Sequence, residues 1–177
     1  MNLVSRYPLI VATLLALSAP QAYAETQADT FRQLSAEDAL EASHQWHHTG
    51  EASVKVYPDR IEASFTDQSS ATIPTGDQFL LSVAPYEDVT HGCTFHVPTG
   101  CQGEMVEKAM MVKITNAETQ EVIQSGMVRT QKDGFIDFWL PKDHRYQFTF
   151  TYQGKTASEV LSTDANSRTC ITTMQLL

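Results

Sequence analysis

The chain is 177 residues long and carries 12 Lys and Arg against 21 Asp and Glu, a formal net charge of −9 with His neutral. Such a surface repels nucleic acid and anionic lipid, which excludes both as partners and leaves solubility as the plain meaning of the charge. The sequence has no internal repeat or low-complexity tract, and it lacks the G-x-S-x-G, H-E-x-x-H and phosphate-loop patterns, so the common hydrolytic chemistries have nothing to stand on.

Residues 1–24 read as a secretory signal peptide. Arg6 supplies the positive start, and Leu9 to Leu17 is an apolar run shorter than the roughly 20 residues that a membrane span needs. Ala22-Tyr23-Ala24 fits the small-x-small cleavage rule, and no cysteine follows it to take a lipid. The expectation is a periplasmic protein of residues 25–177, enough for one domain with a core and a short N-terminal extension.

Residues 25 to 33 are polar and read as frayed. Ser35-Ala36-Glu37-Asp38 is a helix start: a hydroxyl placed to accept an amide, with acidic residues at the positive helix end. Gly50 marks a stop, so the helix is expected over 36–48 with a modest apolar side on Ala39, Leu40 and Trp46. That side docks on the domain or on a second copy of the chain. His44, His47 and His48 share one helical surface at spacings of three and four, which suits either a metal clamp or plain solvated histidines.

From Ser53 the period changes to two. Val54, Val56, Ile61, Ala63 and Phe65 flank Tyr57-Pro58-Asp59-Arg60, a hairpin with proline at the second turn position. Thr75-Gly76-Asp77 is a turn, and the boundary between a helix-and-hairpin region (25–76) and a main domain (77–177) is placed there. Phe79 to Ala84 reads as a buried strand. Further strands are expected over 105–115, 121–130, 135–140, 145–152, 155–163 and 170–176, broken by Asn116, Lys132-Asp133-Gly134, Pro141 and Gln153-Gly154. Tyr146, Phe148, Phe150 and Tyr152 share one face. Many short strands with turns about ten residues apart predict a mainly β protein: a short helix and hairpin, then an antiparallel β-sandwich of immunoglobulin-like or transthyretin-like type.

Chemistry concentrates in His91-Gly92-Cys93-Thr94-Phe95-His96-Val97-Pro98-Thr99-Gly100-Cys101, with a third cysteine, Cys170, near the end. Three cysteines in an oxidising compartment allow one internal bridge and leave one thiol. Thiolate and imidazole suit Cu(I) and Zn(II), so Cys93, Cys101, Cys170, His91 and His96 are the candidate ligands. On extended backbone His91 and Cys93 point the same way, about 7 Å apart at Cα, and Pro98-Thr99-Gly100 can fold Cys101 back toward them. Met174 lies about 13 Å along the strand from Cys170, too far to share an ion, and reads as core with Met105, Met110 and Met111. The C-x7-C spacing matches neither a zinc nor a redox motif, so spacing leaves three readings open: a copper protein, a thiol–disulfide oxidoreductase, or a structural sandwich with one staple. Asp137 and Asp143 show no partner.

Ser82-Val83-Ala84-Pro85-Tyr86, His91-Gly92-Cys93 with His96, Thr99-Gly100-Cys101-Gln102-Gly103-Glu104, Gly134 to Pro141 and Cys170 to Leu176 together resemble the CueP family of periplasmic copper-resistance proteins. The resemblance covers about residues 78 to 177. It implies binding of copper and also zinc, reduction of Cu(II) to Cu(I), and supply of copper to a periplasmic superoxide dismutase. It further implies a Cys93–Cys170 disulfide with Cys101 as the free, metal-binding thiol, and His91 and His96 completing a surface cluster. A dithiol that reduces copper ends as a disulfide, so a reductase or isomerase partner is expected to restore it.

Overall fold

Residues 25–177 are described by the computed structural model; the expected leader lies outside them. Thr26 caps the first helix, α1 (Gln27–Phe31). Its hydroxyl accepts the Asp29 amide while the Asp29 carboxylate accepts the Thr26 amide, so two amides that a helix start would orphan are satisfied. The stretch read as frayed is therefore ordered, and Phe31 at its end is buried against Trp46 and Phe65. Ser35 caps α2 (Ala36–Gln45) as its sequence indicates, but the helix ends earlier than residue 48. His48 sits in the left-handed region at φ 57°, and its amide donates to the Thr99 carbonyl instead of continuing the helix.

Ten strands follow: β1 (Ala52–Val56), β2 (Arg60–Phe65), β3 (Ser70–Pro74), β4 (Gln78–Val83), β5 (Ala109–Asn116), β6 (Val122–Arg129), β7 (Ile136–Pro141), β8 (Arg145–Tyr152), β9 (Lys155–Ser162) and β10 (Cys170–Ile171). The hairpin β1–β2 is joined by β3, which sequence reasoning passed over because only Ala71 and Ile73 mark its inner face. Strand β5 starts at Ala109, since the chain bends at Glu104-Met105 and turns at Val106-Glu107, where Glu107 has φ 52°. The expected strand over 170–176 reduces to β10 and one bridge, Tyr86 to Gln175, and both pairings are parallel. The sandwich is therefore mixed at this edge.

Three sheets stack: β1-β2-β3, the middle β10-β4-β7, and β6-β5-β8-β9. One core lies between the middle and four-stranded sheets, built by Phe79, Leu81, Val83, Phe138, Leu140, Met110, Val112, Ile114, Tyr146, Phe148 and Phe150. Met174 is core there, whereas Met111 points outward and is exposed. A second core packs α1, α2 and β1–β3 against Leu80 and Trp139 from the other face of the middle sheet. Both faces of β4 are thus covered, which is why Phe79 to Ala84 is an unbroken apolar run apart from Ser82. No helix among the described residues is long and apolar enough to cross a membrane.

The middle sheet also sets up the site. Leu80, Ser82 and Ala84 alternate onto its face toward the N-terminal layer, and Asp137 and Cys170 are both paired in register with Ser82. That face runs from apolar Leu80 through polar Ser82 and Asp137 to a small third core of Ala84, Phe135 and Cys170, with Cys93 and Cys101 packed against it.

Candidate metal centre

The long connection between β4 and β5 carries residues 91–101 over the end of this face, and backbone bonds hold it there. The Val56 amide donates to the His96 carbonyl at 2.8 Å, and the Thr169 and Cys170 amides donate to the Thr94 carbonyl at 3.0 and 3.2 Å. Thr169 Oγ1 accepts the His96 amide and donates to the Val56 carbonyl, joining three segments through one hydroxyl. The Val97 carbonyl accepts the amides of Gly100 and Cys101, which is the turn that Pro98-Thr99-Gly100 indicated.

Three sulfurs meet as a result. Cys93 and Cys170 form a disulfide with Cα atoms 5.6 Å apart, and Cys101 is the free thiol. The Cys101 Sγ lies 3.8 Å from Cys93 Sγ. Two overlapping donor sets result: His91, Cys93 and Cys101 toward solvent, and His96, Cys101 and Cys170 inside, with the donor atoms of each set within 4.8 Å of one another. Two thiolates at 2.3 Å from one ion, at a tetrahedral angle, stand about 3.8 Å apart. The Cys93–Cys101 separation equals that figure, and Cys93 can act as a thiolate there only with its bridge to Cys170 open.

His96 is not part of a surface cluster. It is fully buried, its ring tilted against that of Phe135 with centroids 4.5 Å apart, and neither ring nitrogen has a hydrogen-bond partner among the described residues. Burial drives its pKa down to about 4, so the imidazole is neutral and its lone pair is free. Burial also pushes the Cys101 thiol up, which keeps it protonated and slow to oxidise.

Beneath the sulfurs lies a polar network that sequence reasoning missed. Asp137, which showed no partner in the sequence, accepts from His44 Nε2 at 2.8 Å, from Gln131 Nε2 at 2.8 Å and from the Ser82 hydroxyl. Burial works against its ionisation, yet the His44 and Ser82 hydrogen bonds and the neighbouring imidazoles of His96 and His44 hold its carboxyl below the usual range. Burial likewise opposes charge on His44, but the Asp137 hydrogen bond and the Asp137, Asp133 and Glu41 carboxylates outweigh it and raise its pKa. Asp133 Oδ2 sits 3.7 Å from both His44 Nδ1 and His96 Nε2, and burial raises its pKa. His44 is therefore spoken for by carboxylates. His47 is tied to the Pro98 carbonyl and to Gln102 Oε1, its ring lies 4.0 Å from that of His48, and both lie past the end of α2, so the shared helical face expected for the three stops at His44.

These environments give a pH signature in the metal-free protein. Unfolded His96 takes a proton below about pH 6.5. In the folded state it resists until about 4. Stability is thus lost as pH falls from 6.5 toward 4, by up to about 3 kcal/mol, with Asp133 offsetting part of it. The raised pKa of His44 acts on the other limb: its stabilisation is full below its unfolded pKa and fades as pH rises through the folded value. Urea melts across pH 4–8 should show the acid limb, and His96→Asn should flatten it; an unchanged acid limb in that variant assigns the effect elsewhere.

A family model described as periplasmic copper-binding protein CueP matches residues 36–175. The chain belongs to the CueP family. The family is periplasmic and copper-binding by that description, and the match takes in all three cysteines together with α2 and the first hairpin. A solved structure, "Crystal Structure of S.CueP", is 31% identical, covers 88% of this chain and 100% of that one, and superposes with a TM-score of 0.78. The CueP fold therefore holds across the layers described above. No curated protein matches the chain.

Proposed function

We propose that this chain is a periplasmic copper carrier of copper resistance that binds Cu(I) through Cys101, Cys170 and His96, with Cys93 and His91 on the outer side. The observation that carries this reading is His96: a buried, neutral imidazole with both nitrogens unpartnered among the described residues, beside two cysteine sulfurs. A buried polar group left unpaired costs stability, and a ligand role explains its retention. Soft sulfur with one imidazole favours Cu(I), and the same ligand types also admit Zn(II).

In the reduced protein, closing the Cys93–Cys170 bridge releases two electrons, enough to convert two Cu(II) to Cu(I). Cys101 takes no part in that step and, giving up its proton, retains one of the two Cu(I) ions with His96; Cys170 joins as a thiolate once the bridge is reopened. Copper then passes to a periplasmic superoxide dismutase, and a disulfide reductase or isomerase resets the dithiol. A second copy of the chain docked through the N-terminal layer completes the set of partners.

Reduced, metal-free protein mixed with Cu(II) should generate Cu(I), read with a chelating dye, and end with the Cys93–Cys170 bridge closed by mass mapping. A signal no greater than that of the variant with all three cysteines changed to serine would sink the reductive reading. Loaded protein should restore activity to metal-free dismutase faster than an equal amount of free copper held in a buffer.

A further inference from the structure

The bridge is not equally open at its two ends. Cys170 is fully buried in the middle sheet, whereas Cys93 is half-buried and lies in the wall of an open groove of about 530 Å³. Thr90, His91, Arg168 and Thr172 share that wall, so it is polar and carries a guanidinium. A thiolate displaces a disulfide sulfur along the S–S axis, from behind the sulfur attacked, so access decides which sulfur reacts.

The internal thiol does not meet this requirement. Cys101 Sγ is 3.8 Å from Cys93 Sγ and within 4.8 Å of Cys170 Sγ. With an ordinary S–S bond of about 2.05 Å, its angle at Cys93 is at most about 106°. Cys101 therefore stands beside the bridge, not behind it, and cannot exchange with it in place.

We propose that a dithiol protein reductant opens the bridge by attack on Cys93 through this groove, with Cys170 as the leaving group. The partner's thiolate forms a bond to Cys93 Sγ, the Cys93–Cys170 bond breaks, and Cys170 departs as a thiolate. The partner's second thiol then attacks its own bridged sulfur. Cys93 leaves as a thiolate, and the partner ends as a disulfide having given two electrons. Arg168, which also faces Glu159 at 3.6 Å, is the cation in the groove wall on the path of the incoming anion. Cys170 is thereby freed within reach of Cys101 and His96 while Cys93 still carries the partner, so the inner donor set is complete before the reductant leaves.

That last consequence rests on the copper reading; the site of attack does not, and it is measured without metal. Oxidised Cys101→Ser protein is treated with glutathione as the probe, quenched in acid, alkylated and mapped by mass, with wild type in parallel. Glutathione should sit on Cys93, about tenfold over Cys170, with Cys170 alkylated as the free thiol. Glutathione on Cys170, or equally on both, overturns the proposal. So does the lack of any adduct under conditions where a small phosphine still reduces the bond.

Discussion

Changing Cys101 to serine is expected to remove tight Cu(I) binding from the reduced protein, whereas Cys93→Ser leaves most of it. The reason is overlap. Cys101 belongs to both donor sets, the outer with His91 and Cys93 and the inner with His96 and Cys170. Losing it breaks both; losing Cys93 leaves the inner set whole. Removing an outer-shell partner of a metal site costs roughly 10–100-fold in affinity, and loss of the shared sulfur should exceed that. Cys93→Ser should stay below about tenfold, because an inner set with two thiolates and an imidazole still satisfies a soft ion. Competition against a Cu(I) chelator of known affinity, in the presence of reductant, reads both. Equal losses in the two variants would mean that copper sits on the outer set.

Gly134→Ala should be among the most damaging single changes in the fold. Gly134 has φ 79°, and a Cβ there would lie 2.6 Å from the Gly103 carbonyl oxygen and 2.7 Å from its carbon. Both obstacles are backbone, so neither can swing aside. Gly103 cannot retreat, since a Cβ on it would in turn meet the Gly134 oxygen at 2.9 Å and Ala84 at 3.0 Å. Its amide also donates to the Asp133 carbonyl at 2.6 Å. The left-handed backbone costs a residue with a Cβ about 1–2 kcal/mol, and forced displacement in a packed site about 1–3 more. A loss of about 4 kcal/mol lowers Tm by roughly 8–16 °C for a domain this size. Gly154→Ala is the control: φ is 85° but the space is open, so only the backbone part applies. A Gly134→Ala shift no larger than that of Gly154→Ala would show that the two glycines part easily. Because Gly103 is two residues from Cys101 and Gly134 sits between Asp133 and Phe135, the same change should also degrade copper affinity.

The β architecture was legible because it is written in alternation. Tyr146, Phe148 and Phe150 repeat every second residue and all three are buried, and the apolar run Phe79 to Ala84 is buried on both faces. The meeting of three cysteines was carried by motif resemblance, since C-x7-C with a distant Cys170 has no intrinsic geometry. Alternation tells which residues share a face, not what covers it. Asp137 falls on the face opposite Phe138, which strand logic assigns to water, but the N-terminal layer closes over it and His44 supplies the charge. The depth of His96 was hidden for the same reason: Thr169 and β1 come to it from far away in the chain. Ser82, one hydroxyl in an apolar strand, was the trace of that network in the sequence. Helix α1 has five residues, too few to show a period, and its signature is the Thr26 and Asp29 cap.

The chain's last segment holds to the body of the protein through two residues of parallel pairing, one further bridge at Gln175, and the buried side chains of Met174 and Leu176. The covalent tie at Cys170 spans a separation of 77 residues, worth about 4.5 kcal/mol in the chain-entropy view. Under the proposed cycle, opening that tie slackens the tail before loading. An ion held jointly by Cys101 and Cys170 would fasten it again, by coordination in place of a covalent link. The loaded and oxidised forms are then the two sturdy ones, and the empty dithiol is the form that periplasmic proteases meet at its weakest end.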